Sequence, residues 1–247
     1  MKKTLLIAAA ALAAGVISSQ AQAVYSQNIV GYVNVPSPVG YAAFANPLSN
    51  GNNSATNFLD TTSGNSDGTI VLTWTGTKYA QAAIDSTSAT GFSNPANFAP
   101  VPAPILAPGQ GFLLNNLNAS NTVTFVGTVA VGGPGASTNV VGITTNVLGN
   151  ATTYVIASSV LPIGGGISSV LGLTNPGGAI DGSVVLVPKV VSGSIHGYTQ
   201  TAFDSTSGTG FSNPANFAPL PEPVIPVGSS FLFNNQSGAP INWVQSL

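Results

Sequence analysis

The sequence predicts an all-β protein of two tandem repeat units, each a small β-sandwich or barrel, packed side by side or with pseudo-twofold symmetry. Three observations carry this. A long polar and aromatic segment is written twice. Runs of β-branched and aromatic residues recur between Gly, Asn, Asp and Pro turn signals. Pro interrupts residues 101–108 and 220–226 too often for a helix or a central strand, so both read as extended connections crossing the end of a sheet.

The chain opens on Lys2 and Lys3, a short positive region. Residues 5–16 are apolar, and Ala21-Gln22-Ala23 places small residues at both specificity positions of a cleavage site. This is the layout of a secretory signal over residues 1–23, with cleavage expected after Ala23. The apolar run falls short of the roughly 20 residues a spanning helix needs. Val24 follows the site, so no lipid-modified Cys is expected there, and no later segment reads as transmembrane. The mature protein is expected to be secreted or at the cell surface, with the periplasm as the alternative.

The duplication is plain. Ala83-Ile84-Asp85-Ser86-Thr87-Ser88 runs into Gly91-Phe92-Ser93-Asn94-Pro95-Ala96-Asn97-Phe98-Ala99-Pro100. It returns as Ala202-Phe203-Asp204-Ser205-Thr206-Ser207 and Gly210-Phe211-Ser212-Asn213-Pro214-Ala215-Asn216-Phe217-Ala218-Pro219. Further matches follow: Phe112-Leu113 with Phe231-Leu232, and Asn115-Asn116 with Asn234-Asn235. Upstream, Asn28-Ile29-Val30-Gly31 echoes Asn139-Val140-Val141-Gly142, and Asp67-Gly68 echoes Asp181-Gly182. The units are set at 24–130 and 131–247, joined at the Gly/Pro-rich residues 132–136. A period of roughly 110 residues is too long for a solenoid and suits two small domains or one symmetric one.

Local pattern supports strands within each unit. Thr69-Ile70-Val71-Leu72-Thr73-Trp74 is β-branched and aromatic, and Thr75-Gly76-Thr77 turns it into a hairpin with residues 78–82. Residues 121–126 alternate polar and apolar, as a half-buried strand does. Residues 184–187, 229–234 and 241–244 read alike. The best helix candidate after the signal is the stretch 167–173.

Composition removes several functions. Only 4% of residues are charged, against about 25% in a typical domain, so Ser, Thr, Asn and Gln must wet the surface. With 4 Lys, no Arg and a formal net charge of −2, the chain has no positive field for nucleic acid. Cysteine is absent, which excludes disulfides and thiolate metal sites. A 44% hydrophobic content argues against disorder.

The pattern resembles a paralogous family of secreted proteins from Verrucomicrobia. The residues that carry the resemblance are Gln27-Asn28-Ile29-Val30-Gly31-Tyr32-Val33-Asn34-Val35, Phe44-Ala45-Asn46-Pro47-Leu48, the W-x-G-x-x-Y hairpin from Trp74 to Tyr79, and Pro108-Gly109-Gln110-Gly111-Phe112. It covers most of the first unit. The second unit departs from it: Trp74 aligns near Lys189, and the turn has become Val227-Gly228-Ser229-Ser230. The resemblance implies export and a β fold, and it implies no activity, catalytic residue or cofactor.

Candidate chemistry is sparse. His196 is the single histidine, and its repeat partner near Thr77 has none, so a solvated turn residue is expected. Gly64-Asn65-Ser66-Asp67-Gly68 matches G-x-S-x-G by letters, but a loop precedes it and a strand follows, so it is not a nucleophile elbow. Asp67 with Asp85, and Asp181 with Asp204, form candidate facing carboxylate pairs; their duplication points to turn formation rather than glycosidase chemistry. The runs beginning at Asp85 and Asp204 are either Ca²⁺ sites or side-chain-capped turns, and one carboxylate per run favours the turn. Trp74, Tyr79, Tyr198 and Trp243 are candidate sugar-stacking aromatics, or else core and cross-strand partners.

The expected function is therefore a secreted, non-catalytic structural or interaction protein of the cell surface or matrix, with no cofactor, that self-assembles or binds other surface proteins. The alternative is a carbohydrate-binding module that takes polysaccharide on exposed aromatics. A hydrolase comes third, since titratable groups are so few.

Overall fold

The computed structural model describes residues 30–129, 143–149, 154–191 and 194–246. The expected signal (1–23) and joint (132–136) lie outside the described residues. In the first half the strands are β1 (Val30–Ser37), β2 (Gly40–Ala45), β3 (Ile70–Trp74), β4 (Tyr79–Ile84), β5 (Phe92–Ser93), β6 (Gly111–Asn116) and β7 (Asn121–Thr128). The second half contains β8 (Ile143–Leu148), β9 (Tyr154–Ala157), β10 (Gly165–Gly166), β11 (Val184–Val191) and β12 (Ser194–Phe203). After them come β13 (Phe211–Ser212), β14 (Val224–Ile225), β15 (Phe231–Asn234) and β16 (Ile241–Ser246). Among the described residues, helical structure is limited to the 3-10 turns Ala55–Asn57 and Pro176–Gly178. The protein is all-β.

The two halves share one strand order. Five strands form an antiparallel sheet, β2-β6-β3-β4-β5 in the first half and β9-β15-β11-β12-β13 in the second. A two-stranded antiparallel ribbon, β1-β7 or β8-β16, covers one face of each sheet. Period-two alternation explains the layering. Val123 and Phe125 of β7 point inward with Val35 of β1, and meet Phe44, Val71, Phe92 and Phe112 of the larger sheet. Trp243 of β16 and Leu148 of β8 meet Val185, Phe203, Phe231 and Phe233 in the same way.

The other faces of the two sheets pack on each other. Leu72 and Leu113 of the first half form a buried cluster with Ile156 of the second, with Trp74, Tyr79, Ile195 and Leu232 around them. Both faces of β3 and β6 are covered, which suits the consecutive apolar residues Ile70-Val71-Leu72 and Phe112-Leu113-Leu114. The hydrogen bonds across this seam are reciprocal. Ala45, ending β2, donates its N–H to the Gly228 carbonyl at 2.8 Å. Ser158, just past β9, donates to the Gly109 carbonyl at 3.1 Å. Bridges pair Phe44 with Ser229 and Ala157 with Gln110.

One expectation is corrected. Residues 167–173 form a hydrogen-bonded turn, not a helix. Val170 and Leu171 donate to the Gly166 carbonyl, and Glu222 accepts the N–H groups of Ser168 at 2.5 Å and Ser169 at 2.7 Å. Glu222 caps the two leading N–H groups, and Gly172, at a φ of 75°, takes the chain out of helical geometry after one turn. The sheet register agrees with the alignment of Trp74 near Lys189: Trp74 pairs with Tyr79, and Pro188, next to Lys189, pairs with Tyr198 before a bulge. Beyond the bulge the longer β11-β12 hairpin resumes pairing at Val190 with Ile195 and Val191 with Ser194.

Candidate functional site

The four aromatics singled out from sequence separate into two environments. Trp243 is 1% exposed, and its Nε1 donates to the Leu171 carbonyl at 2.6 Å. A ring enclosed on both faces offers no platform to a sugar, so Trp243 is a core residue. Trp74, Tyr79 and Tyr198 gather at the seam between the sheets. Trp74 and Tyr79 meet edge to face with centroids 5.0 Å apart, and Trp74 Nε1 donates to the Tyr154 carbonyl at 2.8 Å. Burial pushes both tyrosine hydroxyls above their ordinary pKa, and the nearby Tyr198 adds to the rise at Tyr79. All three are half-buried; Trp74 and Tyr79 pack against the seam cluster, and Tyr198, from the other half, lies near Tyr79.

The carboxylates cap turns. Asp85 Oδ1 accepts from Thr87 N–H at 3.0 Å and Thr87 Oγ1 at 2.6 Å; Asp204 accepts the same two bonds from Thr206 at 3.0 and 2.6 Å. Asp67 takes the N–H and hydroxyl of Ser86, both at 2.8 Å, and Asp181 takes those of Ser205 at 2.7 and 2.6 Å. Thr87 and Thr206 hold their aspartates below the usual carboxylate pKa, and Ser205 does so for Asp181. The donors facing these carboxylates are N–H and O–H groups, the environment of a capped turn rather than of a Ca²⁺ cage. Asp181 and Asp204 do lie close enough for the charge of Asp204 to oppose ionisation of Asp181. His196 is exposed on β12 at the bulge. Ser66 is buried within a turn ahead of β3, with no helix behind it.

Sequence reasoning missed the most exposed aromatics among the described residues. Phe98 is 76% exposed and Phe217 is 75% exposed. Both sit at positive φ, 56° and 58°, where a bulky residue is an outlier. Side-chain turns explain how each loop holds that shape. Asn94 Oδ1 accepts Ala96 N–H at 2.9 Å, Asn97 Oδ1 accepts Ala99 N–H at 3.1 Å, and Phe98 N–H donates to the Asn94 carbonyl at 2.8 Å. Asn213, Asn216 and Phe217 repeat the set at 2.9, 3.1 and 2.8 Å. The available signal was the verbatim repetition of this loop; a buried reading of Phe was the natural default.

Two clefts accompany these features. A shallow cleft of about 470 Å³ beside Phe217 is lined by Asp181, Asp204, Thr206, Ser207 and Ser212. A larger, mainly apolar one of about 590 Å³ lies between the halves, bounded by Pro36 and Phe44 on one side and Val187, Pro188 and Val227 on the other.

Comparison with known protein families, with curated proteins and with solved structures gives no match. No helix among the described residues is long and apolar enough to cross a membrane.

Proposed function

We infer that the chain is an exported, non-catalytic building block of a cell-surface or extracellular layer, and that it associates with further copies of itself. The resemblance to secreted Verrucomicrobia proteins and the signal-like residues 1–23 support export. The two halves are read as one pseudo-twofold body, supported by the reciprocal bonds from Ala45 to Gly228 and from Ser158 to Gly109.

The observation that carries the reading is the two ribbons. Strands β1, β7, β8 and β16 contain no charged residue. Among the described residues each ribbon pairs within itself, apart from the bridge between Thr128 and Ser49. The outer surfaces present Tyr32 at 71%, Val30 at 68% and Val126 at 50% exposure in one half, and Val147 and Val244 in the other. Monomeric proteins block such edges with Lys, Pro or short strands. Here that defence is limited to Pro36, and the small net charge gives little repulsion between copies.

Light scattering across a concentration series, with negative-stain imaging, tests this on the mature protein. Ordered oligomers are expected. A Tyr32→Lys, Val244→Lys double variant, changed only at exposed positions, is expected to stay monomeric with an unchanged melting temperature. A wild type that remains monomeric at high concentration overturns the reading, as does a double variant that assembles like wild type.

A further inference from the structure

We propose that the twin loops at residues 93–100 and 212–219 are a pair of binding sites for a neutral, hydroxyl-rich sugar ring, with Phe98 and Phe217 as stacking platforms.

The first argument is where the two copies agree. Residues 91–100 and 210–219 are identical, Gly-Phe-Ser-Asn-Pro-Ala-Asn-Phe-Ala-Pro in both. The cores differ: Val123 and Phe125 in one half correspond to Trp243 and Gln245 in the other, by the pairing of the ribbons. Loops ordinarily drift faster than cores, and a loop held constant while its core changes points to a task for the loop itself.

The second argument is cost. A phenyl ring left in water forfeits its burial energy, and a bulky residue at positive φ adds backbone strain. Glycine would avoid both at this position. The chain bears the two costs twice, at Phe98 and at Phe217. The Asn94, Asn97, Asn213 and Asn216 bonds fix both rings outward before any ligand arrives, which lowers the entropy lost on binding.

The ligand class follows from the surroundings. The cleft beside Phe217 is of small-molecule size. Its walls supply carboxylate acceptors from Asp181 and Asp204 and hydroxyls from Thr206, Ser207 and Ser212. A ligand must therefore offer one apolar face to the ring and O–H donors along its rim. Two carboxylates repel an anion, and Lys189 stands near the far end of β11 from Asp181, so a phosphorylated or sulfated ligand is disfavoured. In the first half the same turn bonds recur through Asp67 and Asp85. One difference is Gly208, which lines the second cleft and is Ala89 in the first. A Cβ at Gly208 would meet no atom within 4 Å, so the methyl of Ala89 is no obstacle to the same ligand in the first half.

Isothermal titration of the full mature protein with gluco-, xylo-, manno- and chito-oligosaccharides, alongside a sulfated polysaccharide, tests the inference. At least one neutral oligosaccharide is expected to bind at two sites per chain, and the sulfated polymer is not. Phe217→Gly is expected to weaken one site by about tenfold or more. The Phe98→Gly, Phe217→Gly double variant is expected to lose binding while its melting temperature holds or rises, because glycine relieves the positive φ. The Tyr32→Lys, Val244→Lys variant is expected to bind like wild type, which separates this site from association through the ribbons. The inference fails if no neutral oligosaccharide binds, or if the double Gly variant binds unchanged. It also fails if that variant melts markedly lower, which would make both rings packing residues.

Discussion

Gly111 in the first half has Ile156 and Ser230 of the second pressed against it; a Cβ there would lie 2.3 Å from Ile156 Cγ2. The equivalent position in the second half is Ser230 itself, whose buried Oγ has no hydrogen-bond partner. The two residues meet at the seam, where there is room for one side chain, not two. A seam between two copies can be reciprocal in its backbone bonds and still be forced to differ at a point of tight contact. The cores diverge for a related reason. Phe125 is a buried ring, whereas Gln245 in its place accepts Val160 N–H at 2.8 Å and donates to Ser159 Oγ at 3.0 Å. Each core has only to fit its own neighbours.

The largest test of this contrast lies in the ribbons. Trp243→Ala removes a fully buried indole and its bond to Leu171, and is expected to cost about 3–5 kcal/mol. Val123→Ala, at the matching position, is expected to cost roughly half of that. Urea unfolding of both variants measures the difference; equal losses would mean the two cores carry equal weight. Next comes the seam. Gly111→Val is expected to destabilise by about 2–3 kcal/mol through overpacking against Ile156 and Ser230. Ser230→Gly, which makes the contact symmetric, is expected to change stability by about 1 kcal/mol or less, since it also removes an unsatisfied hydroxyl. A tolerant Gly111→Val would show that the sheets do not press together there.

The smallest effect concerns the twin turns, where the halves agree. Asp85, Asp181 and Asp204 have pKa values lowered below the ordinary 3.8 by hydrogen bonds from Thr87, Ser205 and Thr206. A depressed carboxylate pKa stabilises the fold above the ordinary value, and that contribution is lost as pH falls through the folded one. Melting temperature is therefore expected to be flat near neutrality and to fall below about pH 4. Asp85→Asn and Asp204→Asn are each expected to soften the fall slightly and by similar amounts. A strong difference between them, read by acid melts, would show that the two turns are not energetically alike.

Much of the architecture was legible in the residues. The duplication, the alternation in residues 121–126, the Asp-Gly and Thr-Gly turns and the Pro-rich connections all follow from local geometry, which depends on neighbours along the chain. Other features depended on which surface covers which. Strand periodicity says that a residue has a face, not what lies against that face, so Trp243 and Trp74 looked equivalent although one is enclosed and the other edges a seam. Residues 167–173 read as the best helix candidate, but they form a single turn, capped at Ser168 and Ser169 by Glu222 from far along the chain and ended by Gly172 at a φ of 75°. Phe98 and Phe217 are hydrophobic by type, and only the handedness of their turns, set by paired asparagine bonds, aims them into water. Composition and local pattern determined a twofold-written β protein; long-range packing decided which aromatic rings are hidden and which are shown.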